Sequence, residues 1–419
     1  MTEEIKKRIN QNLRSDIPRG YQSQKHIGIA PSNWEVGKLS DVLHYEQRSI
    51  PKPEKSYWRL GLRSHAKGTF HELVEDPEKI DMDELFVVRE NDLIVNITFA
   101  WEHAIALADK NDDGLLVSHR FPTYVFNDEN SPYYFKYVVI QKRFKEMLVN
   151  ISPGGAGRNR VMDRKDFLNL PCYIPPVLEQ QKIAEILTQC DKVITLKKER
   201  IEEEKKQKKW LMQKLLDPDS GVRLPGFSGK WKKTRVGKVT DSFSGGTPKS
   251  SNKSYYCNNG ISFIRSGEIS ASCTELFITK EGYDSSSAKM VNRGDILYAL
   301  YGANSGECYI SKMNGAINQA ILCIRSKEVK IGFLYYVLVN LKEFIISTLL
   351  QGGQGNLSAE IVKKLYIYVP PIEEQSAITN IISAQDSKIN LLEQELEQWQ
   401  QKKKSLMQLL LTGIVRVAV

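Results

Sequence analysis

The stretch Pro175–Leu216 returns without a gap as Pro370–Leu411: adding 195 to any number in the first copy gives its partner in the second, and 17 of 42 positions are identical. A match of this length marks a duplicated structural unit, and repeats are read before anything else. Each copy reads as one long helix. A Pro-Pro pair blocks helix before it, and Glu179-Gln180 or Glu374-Gln375 place acceptors in the first turn, where backbone N–H groups lack partners. No Pro or Gly follows until Pro218 in the first copy and Gly413 in the second.

Steps of four and three then pick Ile183, Leu187, Cys190, Ile194, Lys197, Ile201, Glu204, Lys208, Leu211 and Leu215 in the first copy. They pick Ile378, Ile382, Gln385, Ile389, Leu392, Leu396, Trp399, Lys403, Leu406 and Leu410 in the second. This is a heptad seam. Neither seam is apolar enough to stand alone, so the two helices are expected to pack on each other. About 38 residues at 1.5 Å each make a rod of roughly 57 Å. The same period suits two unrelated surface helices, but chance does not give an ungapped repeat.

The rest of the chain also repeats, more loosely. Residues 1–33 read as an N-terminal helix and loop, 34–174 as a first globular domain and 175–216 as the central helix. A connector with Pro218, Gly221, Pro225, Gly226 and Gly229 fills 217–231. Residues 232–369 form a second globular domain and 370–419 a C-terminal helix. VGKLSD at Val36–Asp41 answers VGKVTD at Val236–Asp241, and NDLIVNITFAW answers GDILYALYGAN. Strands are expected at Leu85–Val88, Leu93–Phe99, Tyr124–Phe126, Ile261–Arg265, Ile296–Leu300 and Ala320–Arg325, and helices at Tyr133–Leu148 and Gly332–Leu349. The fold class is therefore α+β: two α/β domains separated by a pair of long antiparallel coiled-coil helices, with a pseudo-twofold internal repeat. Such an order suits contact with two places at once. Along B-DNA about 57 Å covers roughly 17 base pairs at 3.4 Å each, and paired readers address two half-sites by such symmetry.

The formal charge of +9 favours a polyanionic partner only weakly. Met1–Leu13 is charged throughout, and the most apolar run, Phe333–Leu341, is too short to span a bilayer. The six cysteines are scattered without a C-x-x-C pair, as expected of reduced thiols in the cytoplasm rather than zinc ligands.

PPVLEQQKIAEIL and PPIEEQSAITNII at the rod heads, LMQKLL and LMQLLL at their tails, LPGFSGKW at Leu224–Trp231 and SGGTPKSSNKSYY at Ser244–Tyr256 carry a family resemblance. In the first globule LRSHAKGTF and FAWEHAIALADKNDDGLLVSHRFP carry it further. Over nearly its whole length the chain resembles the specificity subunit of type I restriction-modification systems. The resemblance implies two target-recognition domains, each reading one half of a bipartite, asymmetric double-stranded DNA target. It implies that the rods set the spacing and dock two methyltransferase subunits for adenine methylation, with motor-nuclease subunits joining that core. It implies no catalytic site in this chain, S-adenosylmethionine, ATP and magnesium being used by the partners. A docking role for Glu179, Gln180, Glu374 and Gln375 comes from the resemblance alone; the residues themselves are helix starts.

No base contact transfers from the family, so candidate DNA residues rest on residue type: Arg, Lys, Asn, Gln and hydroxyls read base edges and phosphates. In the first globule Arg59, Arg63, His65 and Lys67 lie beside Tyr57 and Trp58, a basic–aromatic interleaving that suits nucleic acid or a core equally. Arg158, Asn159 and Arg160 follow the glycines at 154–157, where the alternative is a tight turn; Gln354 and Asn356 are their counterparts. In the second globule Thr247, Lys249, Lys253 and Tyr255 belong to a Gly-, Lys- and Ser-rich stretch that also reads as a plain surface loop. Arg265, Asn304 and Gln319 flank strands. The run Lys197–Lys209 reads as a solvated face with pairs such as Glu202–Lys206 and Glu204–Lys208, or as a DNA-backbone contact.

No methyltransferase or phosphate-loop motif is present. His71 has no second histidine for zinc, and Lys110–Gly114 lacks the later calcium ligands, so no metal site is expected. The reading from another class is a structural coiled-coil dimeriser with globules unrelated to DNA; a related methyltransferase system without a motor subunit is a third.

Overall fold

The computed structural model describes residues 17–154, 160–302, 304–349 and 357–418. The expected N-terminal helix and the candidates Arg158, Asn159, Gln354 and Asn356 lie outside the described residues.

Two 39-residue helices, Val177–Leu215 and Ile372–Leu410, dominate the chain. Their starts are built alike. The Gln180 side chain donates to the Pro175 carbonyl at 2.9 Å and that of Gln375 to Pro370 at 2.8 Å, turning each helix start back on its own proline. The chain divides into two compact units, and each takes half of both helices: Met1–Lys197 with Leu396–Val419, and Lys198–Glu395.

The first unit holds a four-stranded antiparallel sheet ordered Ile105–Leu107, Leu93–Val95, Thr123–Phe126, Leu43–Glu46. Beside it lies a five-stranded sheet ordered Ser49–Pro51, Glu84–Val87, Leu116–Val117, Tyr57–Leu62, Thr69–Val74. Within that sheet Tyr57–Leu62 and Leu116–Val117 are parallel. A ribbon of Glu35–Lys38 with Pro171–Ile174 ties the globule's beginning to its end. The core between sheet and helices buries Trp34, Leu43, Tyr124, Phe135 and Phe167 with Ile183 and Leu187 of the first long helix and Leu410 of the second. Each such aliphatic side chain contributes about 1.5–3 kcal/mol.

The second unit repeats the plan. Its four-stranded sheet is ordered Cys308–Ile310, Ile296–Ala299, Ile321–Ser326, Thr240–Ser244. Its five-stranded sheet is ordered Tyr256–Cys257, Phe277–Ile278, Ile261–Ile264, Gly315–Ile317, Lys289–Val291, again with one parallel pair, Ile261–Ile264 and Gly315–Ile317. A ribbon of Lys232–Arg235 with Tyr366–Val369 closes it. The copies differ at the sheet edges: the extra strand lies beside Glu84–Val87 in the first and beside Phe277–Ile278 in the second.

Three expectations are corrected. The VGKLSD/VGKVTD match is not the structural register: the Leu39 and Val236 N–H groups donate to Leu170 and Leu365, and Trp34 corresponds to Trp231, an offset of 197 rather than 200. The two globular helices are each in two pieces, Pro132–Val139 with Lys142–Asn150 and Ile331–Asn340 with Lys342–Leu349. In the first of these, consecutive β-branched residues, Val138-Val139-Ile140, stand at the stop and weaken helix while keeping the apolar pattern intact. Finally, Glu204 and Lys208 do not pair along their own helix. Glu204 bonds Gln385 at 2.7 Å and Lys388 at 2.8 Å, and Lys208 bonds Asp386 at 2.5 Å. The Lys388 and Gln385 bonds hold the Glu204 carboxyl below its ordinary range.

Within the second unit Lys205 bonds Glu393 at 2.9 Å and Lys208, one turn on, bonds Asp386, so the partner number falls as the first helix advances and the pair is antiparallel. In the first unit Lys403 meets Asp191 at 2.5 Å. That is the Lys208–Asp386 contact with the partners exchanged, so each unit makes it once.

Candidate nucleic-acid interface

In each globule the parallel strand pair sends two following loops out at the same end of the sheet. In the first unit these are residues 63–68 and 118–121; a third loop, 96–104, follows the central strand Leu93–Val95. Backbone bonds stitch them together: the His65 N–H donates to Glu102 at 2.8 Å, Ile97 to Arg120 at 3.0 Å and Met162 to Ile97 at 2.9 Å. In the second unit Leu300 donates to Ala320 at 2.8 Å and Leu357 to Leu300 at 2.9 Å, while the Asn304 amide reaches the Ser266 carbonyl at 3.4 Å. The same loop crossing is thus built twice. Met162 and Leu357, which enter it, are 195 residues apart, as the rods are.

The first crossing encloses a groove of about 470 Å³ lined by Arg59, Phe70, Glu72, Asn96, Thr98, Phe99, His119 and Arg120 among others. Arg59 is held by Glu72 at 2.7 Å. Arg63 lies over Phe70, 5.4 Å from the ring centroid, and donates to the Thr69 carbonyl. His65 occupies the left-handed region at φ 63° and is exposed, as is Lys67. The Arg160 guanidinium stacks 5.3 Å from the Trp101 centroid, with its Nε buried and unpaired among the described residues. Arg59, Arg63, His65, Lys67 and Arg160 therefore gather around one crossing. Sequence reading passed over the groove residues Asn96, Phe99 and Glu72. His71 meets Asp112 at 2.8 Å, and Asp112 caps the turn at Asp109. Among the described residues no acidic, histidine or cysteine cluster fit for a metal occurs.

In the second unit the candidates separate into three places. Thr247 donates to Gln319 at 2.6 Å on the loop after Gly315–Ile317. The chain reaches that point because Gly245 lies hard against the Ile317 carbonyl, where a Cβ finds no room. Arg265 and Asn304 meet at the crossing through Ser266; Arg265 is gripped by Glu268 at 3.0 Å and Glu275 at 3.1 Å. Burial pushes the Glu268 carboxyl up, but the Arg265 guanidinium outweighs it and holds it down at about 2. Lys253 and Tyr255 form a short turn packed on the helix Lys280–Asp284, the Thr279 N–H donating to the Tyr255 carbonyl at 3.0 Å. Lys249 is exposed before that turn.

The four helix-start residues expected to dock partners are inside the protein: Glu179 is 1 %, Gln180 1 %, Glu374 0 % and Gln375 2 % exposed. Glu179 receives both Nε and Nη2 of Arg416 at 2.7 and 2.8 Å and the Trp34 indole at 3.0 Å. Glu374 receives Arg223 in the same bidentate way at 2.9 and 2.7 Å. Each arginine follows the end of one long helix and closes on the start of the other. Gln180 accepts from the Ser131 N–H at 2.9 Å and Gln375 from Lys330 at 2.8 Å, the residues that precede the globular helices Pro132–Val139 and Ile331–Asn340. Eleven residues, three turns, further on, Asp191 accepts from the Tyr137 hydroxyl at 2.7 Å and Asp386 from Tyr336 at 2.8 Å. Each globular helix is thus clamped to a long helix at two points. Within this chain all four side chains are held in internal clamps.

The family model described as Type I restriction modification DNA specificity domain matches residues 31–205 and again 228–401. The Type I restriction enzyme MjaVIII specificity subunit of Methanocaldococcus jannaschii is 26% identical over 416 residues, covering 92% of this chain and 94% of its own. The putative type I restriction enzyme MjaX specificity subunit of the same organism is 26% identical over 425 residues, with 93% and 96% covered. A solved chain from work titled "Structural basis underlying complex assembly and conformational transition of the type I R-M system" superposes with a TM-score of 0.61 at 18% identity, covering 92% of this chain and 99% of that one. The type I S subunit from M. genitalium does so at 0.58 and 15%, with 92% and 97% covered. At such identities the solved structures speak for the fold alone. The repeated match over most of the chain places this protein in the family of type I restriction-modification specificity subunits, which recognise DNA sequence.

Proposed function

We propose that each loop crossing reads one half of a bipartite, asymmetric duplex target, and that the long helices shared by both units set the distance between the halves. The observation that carries this is the crossing itself: one backbone arrangement, occurring twice, with different side chains on it. Arg59, Arg63, His65, Lys67 and Arg160 serve the first half-site, with Arg158 and Asn159 as neighbours in sequence. Thr247, Gln319, Arg265 and Asn304 serve the second, with Gln354 and Asn356 following. Arginine, asparagine and glutamine address base edges, while lysines such as Lys67, Lys249 and Lys253 and hydroxyls such as that of Tyr255 address phosphate. The chain supplies no chemistry of its own. Two methyltransferase subunits dock on it and methylate adenine with S-adenosylmethionine, and motor-nuclease subunits using ATP and magnesium add restriction, in the cytoplasm. Among the described residues no helix is long and apolar enough to cross a membrane.

Whole-genome methylation mapping tests the reading. Replacing residues 232–369 by the corresponding region of a relative should change one half of the methylated motif and leave the other half and the spacer intact. A change in both halves, or none, defeats it.

A further inference from the structure

We propose that the ribbon Lys232–Arg235/Tyr366–Val369 is a second, sequence-independent contact for the DNA backbone, outside the loop crossing and present in the second unit alone. The register places Lys233 opposite Tyr368 and Arg235 opposite Tyr366, so these four side chains share one face, while Thr234 and Ile367 turn to the core. Lys233 stands 5.3 and 5.4 Å from the Tyr366 and Tyr368 ring centroids. The Arg235 guanidinium lies 5.1 Å from Tyr366 and donates to its hydroxyl at 3.0 Å. Tyr366 is 53% exposed. Among the described residues no carboxylate lies within ion-pair distance of Lys232, Lys233, Arg235 or Lys364.

The same ribbon in the first unit is different. Val36 and Lys38 stand where Lys233 and Arg235 do, and Pro171 and Tyr173 where Tyr366 and Tyr368 do. Tyr173 is buried there, its hydroxyl donating to the Gly28 carbonyl at 2.8 Å in the hairpin Tyr21–Gln24/Gly28–Pro31. In the first copy the one tyrosine of the face is covered by the chain itself and Val36 and Pro171 stand in place of a cation and a phenol; in the second the face is open, cationic and lined with phenols. Unpaired cations held in place by rings, with hydroxyl donors beside them, match a phosphate backbone. No base edge needs to be read there, so the contact does not depend on which half-sites the crossings recognise.

The test is binding of the full chain to a 30-base-pair duplex of arbitrary sequence, followed by fluorescence anisotropy at several salt concentrations. Lys233→Ala/Arg235→Ala should lower the magnitude of the log–log salt slope by about 1.8, about 0.9 per phosphate contact removed. The urea midpoint should stay unchanged. An unchanged slope overturns the proposal. So does an unchanged slope accompanied by loss of a co-purifying methyltransferase subunit, which assigns the face to an acidic protein. Failure of half-site reading shows separately, as an altered methylation motif with the salt slope intact.

Discussion

Where the globules join the long helices, the two halves of the molecule agree residue by residue. Gln180 and Gln375, Asp191 and Asp386, Tyr137 and Tyr336, and Lys403 and Lys208 make the same bonds at distances that differ by 0.1 Å or less. Where the loops cross, only the backbone agrees. Trp101 under Arg160 has Asn304 as its counterpart, and the Arg59–Glu72 pair has none. Even a left-handed position is filled differently: His103 at φ 68° in the first unit, Gly306 at φ 82° in the second. The difference separates two kinds of constraint. A clamp must meet a fixed partner inside the chain, so its residues cannot drift; a reading loop needs only its backbone held, so its side chains are free to specify different words.

That comparison predicts an order of effects. Glu179→Ala strands the buried Trp34 indole and the Arg416 guanidinium together and should cost about 2–3 kcal/mol, the scale of a buried group left without its charged partner. Glu374→Ala should cost less, because no indole bonds Glu374; urea unfolding of both variants checks the ranking, and a reversed ranking breaks the proposed equivalence. Tyr336→Phe should cost about 1 kcal/mol, since it removes one hydroxyl bond from a carboxylate that keeps its lysine, and Tyr137→Phe slightly more, since the Tyr137 hydroxyl also meets Thr188 Oγ1 at 3.2 Å. If one substitution proves silent in the same assay, the two clamps are not alike.

The long helices and their seam were legible because helix periodicity is local. Ile183, Leu187, Ile201, Ile378 and Ile382 are buried where the heptad put them, and even the polar seam positions Glu204 and Gln385 are inside, bonded to each other. What stayed hidden depends on distant partners. Nothing near Glu179 announces Arg416, 237 residues away, so a buried clamp looked like an exposed helix start. The parallel pairing of Tyr57–Leu62 with Leu116–Val117 is likewise invisible to local pattern, and it is what collects Arg59, His65 and Arg120 at one place. The scattered second-half candidates show the limit of residue type as a guide. Lys253 and Tyr255 sit on a turn packed on Lys280–Asp284 rather than at the crossing with Arg265 and Asn304, a placement that residue type does not give.

Acid should separate the units further. His103 is buried, its Nε2 2.7 Å from the Val139 carbonyl, and burial pushes its pKa below the ordinary 6.5. The unfolded chain then takes up a proton near pH 6.5 that the folded chain resists, so stability from this site is present above that pH and declines as the pH falls below it. Gly306 carries no such group. In the second unit Asp295 and Glu268 are held below their ordinary ranges, by Arg325 and Arg265 against the push of burial, so their contribution declines only below about pH 4.5. The urea midpoint of His103→Gln should therefore vary less between pH 7 and 5 than that of the parent chain; equal slopes remove His103 from the account.

The smallest stability effect should belong to the crossing itself. Lys67 is exposed and, among the described residues, makes no ion pair. Lys67→Ala should leave the urea midpoint within about 0.5 kcal/mol of the parent, as surface changes away from clamps and core do. It should still reduce the magnitude of the DNA salt slope by about 0.9, because a phosphate contact is counted by the ions it displaces and not by the fold it supports. A clamp variant such as Tyr137→Phe should show the opposite signature, lower stability with an unchanged slope. If Lys67→Ala lowers stability and leaves the slope alone, the loop belongs with the clamps, and the division between holding and reading residues does not run where the two halves of the chain diverge.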